Sequence, residues 1–335
     1  MSNSKADALY ISWSPSGFVT AEASSFQAPI TITEIKNYPV TTAGGDPFVA
    51  LEHLRQSKKG YRKIALQVSS DEFLFATHEV DSLIKAKEPD YFPNVIKSEF
   101  VGIGDDIFYH VINSGDGAPY SPNGVTEKNF ILSVVGNAYI ESVQQRVTNH
   151  GLYPHRLESS TLATLGMLKQ LSGEQPQPCI ALEVFEDKSS LLIVPTEGPP
   201  VFRFIDTGIA QMCQQVQDAL SLKDKASARK LLYSSTIDLS DIGDQVVQPL
   251  RKEIAATIGL YEVETGQSIT RLFVTNMAAE QSWINRLLAE ELGLNLFDID
   301  HVFLMNDLGI QWQQGLEWNR DDPRMIPLFA MMQSE

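Results

Sequence analysis

The sequence writes one order of elements twice. Ala8–Ser12, Phe18–Ala23 and Ile30–Ile35 read as three short strands, and a helix is expected from Pro47. Cys179–Val184, Ser190–Val194 and Val201–Ile205 repeat that order, with a helix expected from Ile209. In both copies a short loop joins the first two strands, Trp13–Gly17 in one and Phe185–Ser189 in the other. Strands of four to eight residues followed by a segment of helical period are α/β signals. Their repetition predicts two related lobes facing each other across a cleft, with the two hairpin loops on it. At 335 residues, 43% hydrophobic, the chain has enough apolar side chain for two such cores.

Punctuation along the chain fills in this outline. Gly44-Gly45 closes a loop, Asp46 can cap, and Pro47 suits a first helical position, where a missing N–H costs nothing. Phe48, Leu51 and Leu54 then share a face, and Lys63–Val68 reads as a strand completing the first sheet. From about 70 to 129 the pattern changes. The strands Phe73–Thr77 and Ile107–Asn113 flank a polar stretch, Lys85–Lys97, which predicts a small subdomain inserted into the first lobe. Ser114–Gly124 is a turn-rich connection. Phe130–Val135 returns to an apolar strand; Asn137 can cap the helix carrying Ile140, Val143 and Val147, and Gly151 ends it. A further helix carries Leu162, Leu165 and Leu168.

Ser172–Pro178 (SGEQPQP) has no apolar residue apart from its prolines and reads as a linker. The expected division is therefore 1–171 for the first lobe, 172–178 for the linker and 179–335 for the second lobe. In the second lobe Leu250, Ile254 and Ile258 recur at helical spacing, Arg271–Thr275 is a strand, and Ser282–Leu292 is a helix. Gln311–Arg324 is polar with two tryptophans, and Ile326–Met332 is a final short element. Trp312, Trp318, Met305, Met325, Met331 and Met332 are read as packing of that segment before they are read as a sticky surface.

Charge and composition exclude several functions. A formal charge of −16 disfavours nucleic acid and direct contact with anionic lipid. No apolar run approaches the roughly 20 residues of a membrane helix, and the opening MSNSKADALYISW lacks the pattern of a secretory signal. Cys179 and Cys213 are the only cysteines and read as reduced packing residues of a cytosolic protein. The six histidines, His53, His78, His110, His150, His155 and His301, have no metal-site spacing. No P-loop, Rossmann fingerprint or nucleophile elbow is present. Ser14, Ser16 and Gly17 could cradle an anion, but Ser-Pro-Ser-Gly is ordinary hairpin-turn chemistry, and the turn reading is preferred. Glu183, Glu186 and Asp187 could form a metal-binding acidic group. Strand alternation sends Glu183 and Glu186 to opposite faces, which favours a solvated loop.

Three segments resemble the type IV pilus assembly protein PilM family of the actin-like ATPase superfamily. Ile131–Leu168, with its Gly151-Leu152-Tyr153-Pro154 turn, is similar to that family's strand, helix, turn, strand and helix. Ile180–Gly208 looks like its second-lobe hairpin, and Ile269–Asp300 like the strand, adenosine loop, helix and strand that follow. The resemblance implies two actin-like, ribonuclease-H-like lobes with a small subdomain inserted in the first. It also implies where nucleotide chemistry should sit, and there the chain departs from the pattern. ATP-binding members start each phosphate loop with an Asp, then a Gly that admits backbone amides to the phosphates. Here Ser12 or a neighbour replaces the first Asp, Trp13 adds bulk and Pro15 removes a donor. Glu183 stands at the second acidic position, but Phe185 fills the Gly position, and the adenosine loop reads Thr275-Asn276-Met277-Ala278-Ala279.

Ser14, Ser16, Gly17, Glu183 and Asn276 are therefore expected to be remnants of a nucleotide site that no longer binds ATP and Mg²⁺ productively. No catalytic residue, cofactor or metal is expected. The resemblance implies a cytoplasmic scaffold, peripheral to the inner membrane through a protein partner. That partner would be the N-terminal cytoplasmic segment of a bitopic, PilN-like pilus-assembly protein, held in a groove between the first lobe and its insertion. Leu66, Val68, Phe73 and Phe75 are the apolar candidates to line that groove, with burial in the core as the plainer reading. An acidic receptor suits a juxtamembrane tail rich in Lys and Arg. Homo-oligomerisation is left open. The alternative is an active actin-like ATPase or sugar kinase with unusual phosphate loops.

Overall fold

The computed structural model describes residues 7–39, 47–55, 60–124, 126–171, 177–234, 239–297, 299–320 and 322–333. The Gly44–Asp46 cap and most of the 172–178 linker lie outside the described residues. The first lobe opens with β1 (Ala8–Ser14), β2 (Gly17–Ala23), β3 (Thr31–Pro39), a 3₁₀ helix at Pro47–Leu54 and β4 (Arg62–Val68). Phe48, Leu51 and Leu54 recur every third residue, which fits the three residues per turn of a 3₁₀ helix better than the expected α-helix.

The insertion follows with β5 (Leu74–Glu79), α1 (Tyr91–Glu99), β6 (Ile107–Asn113) and β7 (Asn129–Gly136). The chain then re-enters the lobe through α2 (Asn137–Asn149), β8 (Leu152–Ser159) and α3 (Ser160–Leu171). Asn137 does not cap α2: it is the helix's first residue, and its side chain donates to Asp106 Oδ1 at 2.6 Å. The second lobe holds β9 (Cys179–Val184), β10 (Ser189–Val194), β11 (Val201–Ile205), α4 (Ile209–Ala219), α5 (Lys225–Leu232), α6 (Ser240–Thr265), β12 (Arg271–Val274), α7 (Ser282–Leu292) and β13 (Asn295–Leu296). The chain continues through α8 (His301–Asp307), β14 (Gln311–Trp312) and α9 (Met325–Gln333).

The sequence repeat becomes a repeat of topology. The first sheet runs β14-β3-β2-β1-β4-β8 and the second β11-β10-β9-β12-β13. In each, three antiparallel strands are followed by strands parallel to the first of them. Alternation along β1 and β9 explains how the two lobes share a core. Leu9 and Ile11 pack outward on Phe48, Leu51 and Val147, while Ala8 and Tyr10 face inward. Ile180, Leu182 and Val184 likewise pack under the helices of the second lobe, while Cys179 and Ala181 face inward. The inward faces meet α3 and α9, whose Leu165, Leu168, Leu328, Phe329 and Met331 join both lobes in one apolar cluster.

Two expected boundaries are corrected. The insertion does not stop at 129, because Asn129–Gly136 is the middle strand of the separate sheet β5-β7-β6. Its Phe130, Leu132 and Val134 cover α1, and Ile131 and Val135 pack towards the lobes. A strand buried on both faces reads the same whether it belongs to a lobe or to an insertion. The second correction concerns residues beyond 310, which leave the second lobe. β14 pairs in parallel with β3, and α9 packs on β1, β2, β4 and α3. Met305, Met325, Met331 and Met332 are buried there, with Trp312 and Trp318 packed against them.

Candidate functional site

The two hairpin turns and the loop after β12 converge between the lobes, and Glu183 lies at the meeting point. Its place on β9, in phase with Cys179 and Ala181, points it inward rather than into a solvated loop, and it is 3% exposed. Glu186, beyond the end of the strand, turns to the surface and pairs with Arg229, so the two acids do separate as alternation requires. Four hydroxyls surround the buried carboxylate. Ser160 Oγ and Thr161 Oγ1 donate to it from the first turn of α3, Ser69 Oγ from 3.1 Å and Thr275 Oγ1 from 3.4 Å. Burial raises the pKa of Glu183 above its ordinary value of 4.5, and the four hydroxyls oppose that rise.

Asn276 extends this network to the first hairpin. Its side chain clamps one residue of β9, accepting from Val184 N and donating to Val184 O, both at 2.9 Å. Its Nδ2 also donates to Ser69 Oγ at 3.1 Å, and its backbone carbonyl accepts from Ser16 Oγ at 2.6 Å. Ser16 Oγ lies 2.9 Å from Ser14 Oγ, and both serines are buried. Gly17 closes the turn at φ 126°, in the region that favours glycine. Ser14, Ser16, Asn276, Ser69 and Glu183 thus form a continuous chain of hydrogen bonds across the two lobes. The Ser-Pro-Ser-Gly turn does more than reverse the chain.

Further groups lock the same region. Ser12 Oγ donates to Gln67 Oε1 at 3.3 Å, and Gln67 Nε2 donates to Pro327 O at 2.9 Å, which ties β1 and β4 to α9. Arg324 and Asp322, each 1% exposed, pair through two side-chain hydrogen bonds of 2.9 and 2.6 Å. Arg324 Nη1 also reaches Ser16 O at 3.4 Å. The crevice between Thr161, Thr164, Ala181, Glu183, Ser190 and Leu192 is too narrow to admit a water molecule.

The second hairpin is closed by its own helix. The amides of Ile209 and Ala210, at the start of α4, donate to Phe185 O and Glu186 O at 2.9 and 2.8 Å. Gly208 makes this approach possible, since a Cβ there would lie 2.6 Å from Phe185 O and 2.7 Å from Glu186 O. Helix-start amides that could have met an anion are already taken.

Sequence reasoning placed Ser14, Ser16, Gly17, Glu183 and Asn276, and the structure gathers all five at one place. It missed Ser69, Ser160, Thr161, Asp322 and Arg324. The run Ser159-Ser160-Thr161 at a strand-to-helix junction was the available signal for two of them. Leu66, Val68, Phe73 and Phe75 are not groove-lining residues: all four are buried in one cluster with Leu9 and Val147. Phe75 stacks on Phe202 of the second lobe with ring centres 5.2 Å apart, and Thr77 Oγ1 donates to Pro200 O at 2.5 Å. These contacts fasten the insertion to the second lobe, while the expected groove face is buried mainly by first-lobe side chains such as Phe48, Leu51 and Val143. Among the described residues no group of His, Cys, Asp and Glu could hold a metal ion. Cys179 and Cys213 are free, buried thiols, and burial pushes Cys179 up to about 11.

No protein-family model and no curated protein matches the chain. Among solved structures, a chain of a PilM–PilN type IV pilus biogenesis complex superposes with a TM-score of 0.71 at 14% identity, over 97% of each chain. The ethanolamine utilization protein EutJ from Carboxydothermus hydrogenoformans gives 0.48 at 9% identity, over 97% of this chain and 89% of that one. The cytoplasmic domain of EpsL, an inner membrane component of the type II secretion system of Vibrio cholerae, gives 0.45 at 8%, over 98% and 94%. Taken with the doubled sheet order, the first of these likenesses shows that the chain has the two-lobed actin-like fold, with a small sheet inserted in the first lobe.

Proposed function

We propose that this chain is a non-catalytic scaffold of a type IV pilus-like or related secretion platform at the inner membrane. In this reading it holds the N-terminal cytoplasmic segment of a bitopic, PilN-like membrane protein and does not turn over ATP. The observation that carries the reading is the caged Glu183. Where the two hairpins converge, an ATPase needs an accessible acid, a glycine and free amides; here the acid is capped by four hydroxyls and the α4 amides are bonded to the hairpin. These residues do not fit bound ATP and Mg²⁺. The fold likeness to a chain from a PilM–PilN complex supports the partner class. So does the charge of −16, since a juxtamembrane tail is commonly rich in Lys and Arg. Among the described residues no helix is long and apolar enough to cross a membrane, which fits attachment through a partner.

Thermal melts with and without millimolar ATP–Mg²⁺ test the negative half. A micromolar site would add about 4 kcal/mol and a plain upward shift; no shift is expected. The positive half is tested by binding of synthetic peptides tiled over the cytoplasmic segments of bitopic membrane proteins encoded beside its gene. A nucleotide-dependent shift that Glu183→Gln abolishes would favour the ATPase or sugar-kinase alternative.

A further inference from the structure

We propose that the partner segment docks on the free edge of β6, adding itself to the insertion's sheet as a fourth strand; this rests on the adaptor reading above. β6 is the outer strand of β5-β7-β6. In an antiparallel pair, alternate residues turn their backbone N–H and C=O away from the neighbouring strand. On β6 the odd-numbered residues do so: Val111 O accepts from Tyr120 N at 2.8 Å, and Asn113 N donates to Ala118 O at 2.9 Å. One end of this edge is therefore already covered by an extended piece of the same chain, bridged at Ile112 and Pro119. By the same alternation Ile107 and Tyr109 aim their backbone groups outward. Among the described residues no strand lies there.

Such an edge is normally protected by Lys, Pro, a bulge or a covering loop. Ile107–His110 carries none of these, and its register against β7 is unbroken. Its side chains are instead suited to contact. Phe108 is 49% and Tyr109 39% exposed. Beside the edge runs a groove of about 520 Å³, lined by Pro93, Ile96, Phe100, Ile103, Ile107 and Tyr109. An added strand sends every second side chain to one face, so its apolar residues would enter this groove at alternate positions. The uncovered length, Ile107 to His110, is roughly 13 Å of strand and fits a segment of about four residues.

Charge selects the occupant. Residues 69–136 contain eleven Asp and Glu, four Lys and no Arg. Asp105 lines the groove, where it pairs with Lys97 at 3.3 Å. Two copies of this acidic face would repel each other, whereas an extended segment with Lys or Arg at its ends would be attracted. The fitting partner is thus short, extended, apolar at alternate positions and flanked by basic residues.

Fluorescence anisotropy with the whole chain and the tiled peptides of the preceding section tests this. For a peptide that binds, N-methylation of the alternate amides facing β6 is expected to abolish binding, while methylation of the intervening set leaves it unchanged. Asp105→Lys, at an exposed position lining the groove, is expected to weaken binding several-fold and flatten its salt dependence. A peptide that binds regardless of both changes docks elsewhere, and this inference falls while the adaptor reading stands. If no peptide binds, both fall. A chain that is dimeric alone, with peptide and dimer mutually exclusive, would assign the edge to a second copy and overturn the proposal.

Discussion

Replacing Glu183 separates a caged structural acid from a working one. Glu183→Ala leaves the hydroxyls of Ser160 and Thr161 buried without their acceptor, whereas Ser69 keeps its bond from Asn276 and Thr275 loses only a contact of 3.4 Å. Two orphaned hydroxyls at about 1–3 kcal/mol each, together with the void left by the lost side chain, amount to roughly 3–5 kcal/mol. Glu183→Gln keeps the shape, and the rotatable hydroxyls can accept from its amide. It should cost less than about 1 kcal/mol at neutral pH. The pH dependence fixes the sign. Burial raises the pKa of Glu183 in the folded chain above 4.5, so the folded state holds the proton longer than the unfolded one. The native chain is therefore favoured fully below about pH 4.5 and loses that advantage as pH rises through the folded value. Glu183→Gln has no such loss, so its stability relative to the native chain should improve from pH 5 to pH 8. Urea unfolding followed by circular dichroism over this range measures the difference. If Glu183→Gln costs as much as Glu183→Ala, and costs more as pH rises, the carboxylate is needed ionised and the cage reading is wrong.

Gly208→Ala should lower the melting temperature by an amount equivalent to about 1–3 kcal/mol, because its Cβ would meet two backbone carbonyls. Gly259→Ala, in α6 with nothing within 4 Å, should be neutral or slightly stabilising and serves as the control. Arg324→Met, which leaves the Asp322 carboxylate buried and unpaired, should cost about 3–5 kcal/mol in calorimetry. Adding Asp322→Leu to it should recover much of that loss; a further loss of equal size would show that Asp322 does not act through Arg324.

The parts of this fold legible from sequence were those governed by local pattern. The boundaries of β9, β11, β6 and α7 follow from short alternating or helical runs between turn residues, and the doubled order of strands follows from reading two such sets together. Placement in space was less legible. The apolar run Phe130–Val135 gives no sign of which sheet it joins, because a strand covered on both faces has no alternation to read. The Met-rich stretch from Met325 shows that it will be buried, but not against which lobe. At the site, residue types identified Glu183, Asn276 and the serines of the first turn. The hydroxyls that decide the chemistry of Glu183 come from Ser69, Ser160 and Thr161, distant in sequence and individually unremarkable. Phe73 and Phe75 were placed on a groove because the docking of β5 against β11 could not be read from either strand alone.

The return of α9 to the first lobe bears on how the chain matures. Tyr10, Val19 and Ala21 are closed over by Leu328, Phe329 and Met331, which leave the ribosome only after all of β9 to α8. Until then, among the described residues, the only cover its own chain gives the inward face of the first sheet is α3. Translation runs at about 5–20 residues per second, and the interval between Met167 and Phe329 spans most of the second lobe. A nascent first lobe is thus exposed to aggregation or chaperone capture for on the order of ten seconds. Ribosome-stalled chains ending before Met325 should accordingly stay protease-sensitive within β1 and β2, and released chains that include α9 should not.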